Sequence, residues 1–166
     1  ARKGSIFAYE ALMRPKLETL KSPIDVIKLA QSQSKLYEIE RITWFKSMET
    51  FSRHIEDFGD AKIFINSIPN HVLSHKDFNQ LEEEYGEHLH RVVVEITESE
   101  QANEETTSRK QEMIMRWNSQ LALDDFGSGY SSEIALLILS PDFIKIDMTI
   151  IKGIDRDLNR QKLLLN

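Results

Sequence analysis

Asp124 and Asp125 are adjacent carboxylates at the point where the apolar run Leu121-Ala122-Leu123 gives way to Phe126-Gly127-Ser128-Gly129-Tyr130-Ser131. Two like charges side by side are costly to desolvate unless something positive compensates them. Four more polar residues, Glu10, Asn66, Glu95 and Lys145, fall in the same way at or near the ends of apolar runs. Glu95 interrupts Val92-Val93-Val94 and Ile96, and Lys145 lies between Ile144 and Ile146. A charge among such neighbours is seldom tolerated unpaired. Taken singly, Glu10 reads as a strand-end carboxylate, Asn66 as a loop former, and Lys145 as an ion-pair partner for Asp147 or another core carboxylate. The Asp pair taken singly reads as a turn. Taken together, the carboxylates and the amide form an oxygen-only ligand set that suits Mg²⁺ or Mn²⁺ rather than zinc or copper. Two such ions would neutralise Asp124 and Asp125 and can clamp the attacking and leaving oxygens of a phosphodiester. Lys145 would then orient the water or offset charge on the phosphate. The residues point to metal-assisted phosphodiester hydrolysis.

These side chains need elements that bring them to one place. Residues 5–12, 62–66, 91–97, 120–124 and 142–147 read as strands, most of them rich in Val, Ile, Leu and Phe with little polar alternation. Such runs are expected where both faces of a sheet are covered. Ser22 followed by Pro23 reads as a helix start. A longer helix is predicted over about 36–58 from the recurrence of Leu36, Ile39, Ile42, Phe45, Met48, Phe51 and Ile55, a stripe that reads as core. Further helices are predicted over 75–89, 104–119, 132–139 and from 156 onward, with Glu82-Glu83-Glu84 as a solvated face. Alternating strand and helix means parallel strands with right-handed crossovers. Both an open doubly wound sheet and a closed barrel satisfy that pattern. Polar residues at so many strand ends favour the barrel, whose strand ends converge on one face.

Composition narrows the field. The 166 residues suffice for one domain with a real core. A hydrophobic content of 40% and a charged content of 29% describe a soluble globular chain. A net charge of −6 does not advertise a nucleic-acid polymer as partner, although metal ions would let an acidic protein hold a phosphate ligand. The absence of cysteine excludes disulfides and thiolate metal sites and fits a cytoplasmic setting. No apolar run approaches a membrane span, no secretory signal opens the chain, and no membrane contact is expected from this segment. His54, His71, His75, His88 and His90 read as surface or loop residues rather than ligands.

The motifs also carry a resemblance. Glu10-Ala11-Leu12 in YEALMRP resembles the signature tripeptide of the EAL-domain cyclic di-GMP phosphodiesterases. FINSIP, VVVEITES, LALDDFGSGYSS and FIKID are similar to that family's Asn, second Glu, double-Asp and Lys motifs, in family order. The resemblance implies a TIM-type (β/α)8 barrel that converts cyclic di-GMP to linear pGpG with two Mg²⁺ or Mn²⁺ ions. Glu10, Asn66, Glu95 and Asp124 match ligands of one metal, and Asp125 the carboxylate that reaches the second. Lys145 matches the lysine near the catalytic water, so Glu10, Asp125 and Lys145 are the expected catalytic residues. Leu12 and Arg14 match substrate-binding positions, the guanidinium fork of Arg14 suiting a phosphate. Glu98 matches a glutamate that anchors the loop after the Asp pair. That loop, from Phe126 through Gly127, Ser128, Gly129, Tyr130 and Ser131, matches the one linking metal occupancy to dimerisation.

There are departures too. Pro15 stands where an aromatic residue is common, and the interval from Glu95 to Asp124 is one residue shorter than usual. Met115-Arg116-Trp117-Asn118-Ser119-Gln120 lacks the customary glycine turn. The five predicted strands correspond to five of the barrel's eight. Residues 1–166 are therefore expected to run from the family's second strand to the start of the helix after its sixth. The family's first strand, its last two, and the further catalytic Glu and Gln they carry are not in this sequence. An open barrel would leave edges at strands 5–12 and 142–147, which favours a homodimer or strand exchange. The alternative functions are a catalytically silent cyclic di-GMP receptor and a dimerisation or regulatory module.

Overall fold

In the computed structural model, which describes residues 4–97, 103–127 and 132–163, strands and helices alternate as the apolar runs predict. The strands are β1 (Ala8–Ala11), β2 (Lys62–Asn66), β3 (Val92–Thr97), β4 (Gln120–Phe126) and β5 (Phe143–Ile146). The helices are α1 (Pro23–Ser32), α2 (Leu36–Arg53), α3 (Ile55–Phe58), α4 (His75–Tyr85), α5 (Glu104–Trp117), α6 (Ser132–Leu139), α7 (Met148–Ile151) and α8 (Leu158–Leu163). None of these helices is long and apolar enough to cross a membrane.

All strand pairs are parallel, and the spatial order is β1-β2-β3-β4-β5. A doubly wound sheet reverses its order at a switch point; here each strand is laid beside the last in one direction, as in a barrel. Curvature supports the same conclusion. Four flat inter-strand steps of about 4.8 Å would hold the edge strands roughly 19 Å apart. Yet the Phe143 ring centroid lies 5.6 Å from that of Phe7, beside β1, and 5.7 Å from that of Phe64 on β2. The sheet is a curled wall, five strands of a (β/α)8 barrel.

Side-chain alternation sorts the wall into two faces. Ile63, Ile65, Val92, Val94, Ile96, Leu121 and Leu123 join Trp44, Met48, Phe51, Leu81, Met113 and Trp117 in the core between sheet and helices. The alternate positions, Phe64, Asn66, Val93, Glu95, Ala122, Asp124 and Lys145, fall to the concave side. That side holds the polar strand ends.

Local departures from the sequence pattern have identifiable causes. Ser22 caps α1 as expected, accepting from the Ile24 N–H at 3.2 Å, with Pro23 in the first turn. The helix predicted over 36–58 breaks at His54, and the break turns Phe58 onto Tyr9 (4.5 Å) and Phe51 (5.4 Å). Its buried face is Glu40, Trp44, Met48 and Phe51, whereas Ile42 is 53% exposed. The helix predicted over 75–89 ends at Tyr85, where Gly86 weakens the α conformation and a 3-10 turn follows to Arg91. Glu82 is not simply solvated: it accepts from Trp117 Nε1 at 2.9 Å and pairs with Arg116. Among the described residues the final predicted helix starts later, as α8; α7, capped by Asp147, and a short 3-10 turn precede it.

The missing glycine turn is supplied by Asn118. Its backbone is left-handed, at φ +50°, and its N–H closes α5 onto the carbonyls of Ile114 and Met115. Asn is the residue after Gly best suited to that cap. Asn118→Ala is expected to lower stability by about 1 kcal/mol, and Asn118→Gly to leave it equal or higher, as read by urea denaturation.

Candidate active site

Four strands deliver four charged groups to one point on the concave face. Lys145 Nζ on β5 donates to Glu95 Oε1 on β3 at 2.6 Å, Glu10 Oε1 on β1 at 3.1 Å and Asp124 Oδ2 on β4 at 3.2 Å. Asn66 on β2 donates from Nδ2 to Glu95 Oε2 at 3.1 Å. Parallel register explains the convergence, since Asn66 pairs with Glu95 and Asp124 with the neighbouring Thr97.

The electrostatics follow from burial. The Glu95 side chain is fully buried, and that burial pushes its pKa up to about 7. Lys145 pulls it down, while Glu10 and Asp124 push in the same direction as burial. Burial acts the opposite way on Lys145, but its bond to Glu95 and the surrounding carboxylates outweigh it and hold the ammonium above its ordinary pKa. The ammonium is charged across the physiological range.

Glu10, Glu95 and Asp124 each present an oxygen, and these oxygens lie within 4.8 Å of one another. With the amide of Asn66 beside them, every donor is hard oxygen, and the set fits a hard divalent cation such as Mg²⁺ or Mn²⁺. Asp125 does not join it. A shift in the β4–β5 register falls between Leu123 and Phe126, and Asp125 there has φ +56°. Plain alternation would send its carboxylate into the apolar layer behind the sheet; the irregularity keeps it exposed. Burial, Asp124 and Asp147 each raise the pKa of Asp125.

The remaining predicted residues stand apart from the carboxylates. Arg14 is exposed and donates to the carbonyl of Met13 at 3.0 Å. Arg14 and Leu12 line, with Glu10, a cavity of about 510 Å³ between β1 and α2. Phe126 ends β4, and Gly127 follows at φ +92°, where a Cβ would lie 2.0 Å from Ile150 Cδ1 on α7. The positive φ favours glycine at that position, and a Cβ there would displace the Ile150 side chain. Glu98 and Ser128, Gly129, Tyr130 and Ser131 lie outside the described residues.

The profile of the EAL domain family matches residues 1–165. The chain belongs to the EAL domain family. Among its curated relatives is the probable cyclic di-GMP phosphodiesterase PdeN of Escherichia coli (strain K12), 31% identical over 97 residues, or 57% of this chain and 19% of PdeN. The chain spans between 9% and 27% of the length of the curated relatives it matches. Among solved structures, the EAL domain protein of Listeria monocytogenes EGD-e superposes with a TM-score of 0.78 at 23% identity, over 98% of this chain and 66% of that one. The manganese and cyclic di-GMP complex of BlrP1 from Klebsiella pneumoniae gives 0.73 at 22% identity, over 95% and 40%. These likenesses establish the EAL barrel fold.

One polar group of this EAL domain escapes sequence reasoning. Glu40 and Lys110 are almost fully buried and meet at Ser67, the residue after Asn66. The available signal was the spacing of Glu40, Trp44 and Met48, which places the glutamate on one face with large apolar residues.

Proposed function

We propose that this domain hydrolyses cyclic di-GMP to linear pGpG in a reaction that depends on Mg²⁺ or Mn²⁺. The convergence of Glu10, Glu95, Asp124 and Lys145 from four strands carries the reading. It is supported by relatives named as probable cyclic di-GMP phosphodiesterases and by related structures holding manganese or calcium with cyclic di-GMP. Glu10, Asn66, Glu95 and Asp124 would hold the first cation, with Asp125 reaching toward a second. Bound there, the cations would lower the pKa of water and offset charge on the phosphodiester. Lys145, displaced from the carboxylates, would keep its proton and orient the attacking water or stabilise the phosphate oxygens. Arg14, exposed beside Glu10, would take a non-reacting phosphate with its guanidinium fork.

The domain completed with the family's remaining strands, given Mn²⁺ and cyclic di-GMP, is expected to release pGpG, detected by chromatography, whereas residues 1–166 alone lack the further catalytic Glu and are not expected to match it. Asp124→Asn should weaken Mn²⁺ binding at least tenfold and reduce turnover with it, since a neutral amide replaces a charged ligand. Unchanged Mn²⁺ affinity in that variant would show that the ion lies elsewhere. A second reading, a silent receptor for cyclic di-GMP, is favoured by the ammonium lying among the carboxylates and by Asp125 standing outside them. Calorimetric binding of cyclic di-GMP with no pGpG in Mn²⁺ would select it.

A further inference from the structure

We infer that Glu40 and Lys110, one on α2 and one on α5, are positioning residues that set the place of Asn66 in the metal site. The inference rests on the metal-dependent reading above. Glu40 is 1% exposed and Lys110 2%. Opposite charges so far from water are retained only where hydrogen bonds satisfy them. Here those bonds converge on the dipeptide Ser67-Ile68. Glu40 Oε1 accepts from Ser67 Oγ at 2.5 Å, and Glu40 Oε2 from the Ile68 N–H at 2.7 Å. Lys110 Nζ donates to Ser67 Oγ at 2.7 Å and to the Ile68 carbonyl. The Ser67 hydroxyl thus accepts a hydrogen bond from the ammonium and donates one to the carboxylate. Trp44 Nε1 donates to Glu40 Oε1 at 2.9 Å and fixes the carboxylate in turn.

The clamped segment is the exit of β2 immediately beyond Asn66. The Ser67 N–H donates to the Glu95 carbonyl at 2.8 Å, so the same peptide is tied to β3 at the level of the site. Hydroxyl, N–H and carbonyl of two successive residues are each held, and a rotation of the chain there would carry the Asn66 amide away from Glu95. A buried apolar pair would pack these helices at lower desolvation cost. The two charges instead fix one backbone conformation next to a ligand. Groups that orient a ligand from behind typically account for about 10–100-fold in metal affinity.

The test is Mn²⁺ affinity, measured by the paramagnetic resonance of free Mn²⁺, in wild type, Ser67→Ala, Glu40→Gln, Lys110→Met, Asn66→Ala and the doubles with Asn66→Ala. Ser67→Ala and Lys110→Met are each expected to weaken Mn²⁺ at least tenfold. In the Asn66→Ala background the same changes should add less than twofold, because the ligand through which they act is already gone. Ser67→Ala removes only an oxygen, so it carries the test if Lys110→Met does not fold. Affinities within twofold of wild type in folded variants, or losses that multiply through in the Asn66→Ala background, would overturn the positioning role alone. Failure of the wild type to bind Mn²⁺ would overturn both this role and the metal-dependent reading.

Discussion

Lys145→Met is expected to reduce hydrolysis of cyclic di-GMP about 10²–10³-fold while leaving Mn²⁺ affinity unchanged or tighter. The ammonium donates at 2.6–3.2 Å to oxygens of Glu10, Glu95 and Asp124, the same three carboxylates that form the candidate cation site. A divalent ion entering the site competes with it for those oxygens. Removing Lys145 deletes the competitor and leaves three carboxylates whose mutual repulsion the ion relieves. On the proposed reading, the reaction would lose at the same time the ammonium that orients the attacking water or stabilises the phosphate. Calorimetry with Mn²⁺ beside a pGpG assay separates the two effects. A fall in Mn²⁺ affinity as large as the fall in turnover would mean that Lys145 organises the carboxylates rather than competing for them.

Glu95→Gln should stabilise the metal-free protein at alkaline pH and abolish its stabilisation by Mn²⁺. Burial raises the Glu95 pKa from 4.5 to about 7, a displacement equivalent to about 3 kcal/mol. The folded state then binds the proton more tightly than the unfolded chain. Stability from this group is fully present below pH 4.5 and is lost as the pH rises through about 7. A glutamine never ionises, so the variant escapes that loss. At pH 8 without metal it should exceed wild type by up to about 3 kcal/mol, and at pH 4 the two should coincide. Added Mn²⁺ reverses the order, since the ion rewards an ionised Glu95 and gains little from an amide. Urea denaturation at both pH values, with and without Mn²⁺, reads all four quantities. A wild type that is the more stable without metal at pH 8 would refute the account.

The barrel wall was legible because its strands are short apolar runs with polar residues at one end. Parallel pairing brings those ends to one level. Glu10, Asn66, Glu95, Asp124 and Lys145 could therefore be grouped from chain position, and in the structure they meet. Asp125, grouped with them from the sequence, stands outside the three carboxylates, because a register shift with positive φ leaves no trace in a two-residue alternation. The inner face of α2 is legible only in part. Met48 and Phe51 of the predicted stripe are buried and Phe45 and Ile55 pack on the core, but Ile42 is exposed and the stripe omits the buried Glu40 and Trp44. A buried glutamate is expected only once its partners Ser67, Ile68 and Trp44 are known to surround it. The helix breaks at His54 and Gly86 depend on which rings and backbone groups lie nearby in space, and spacing alone does not report that.

The order of the strands also has a kinetic consequence. Lys145 and Glu10 are 135 residues apart in the chain, and no ion pair between them exists until all intervening crossovers are in place. The entropy of closing that loop must be overcome before the contact contributes anything. The Lys145–Glu10 pair is therefore expected to form late, as a latch on a wall already curled by its apolar layer, whereas Lys145 and Asp124, 21 residues apart, can meet earlier. A bound cation drawing on β1, β3 and β4 would fasten the same seam, so metal loading would slow unfolding more than it speeds folding.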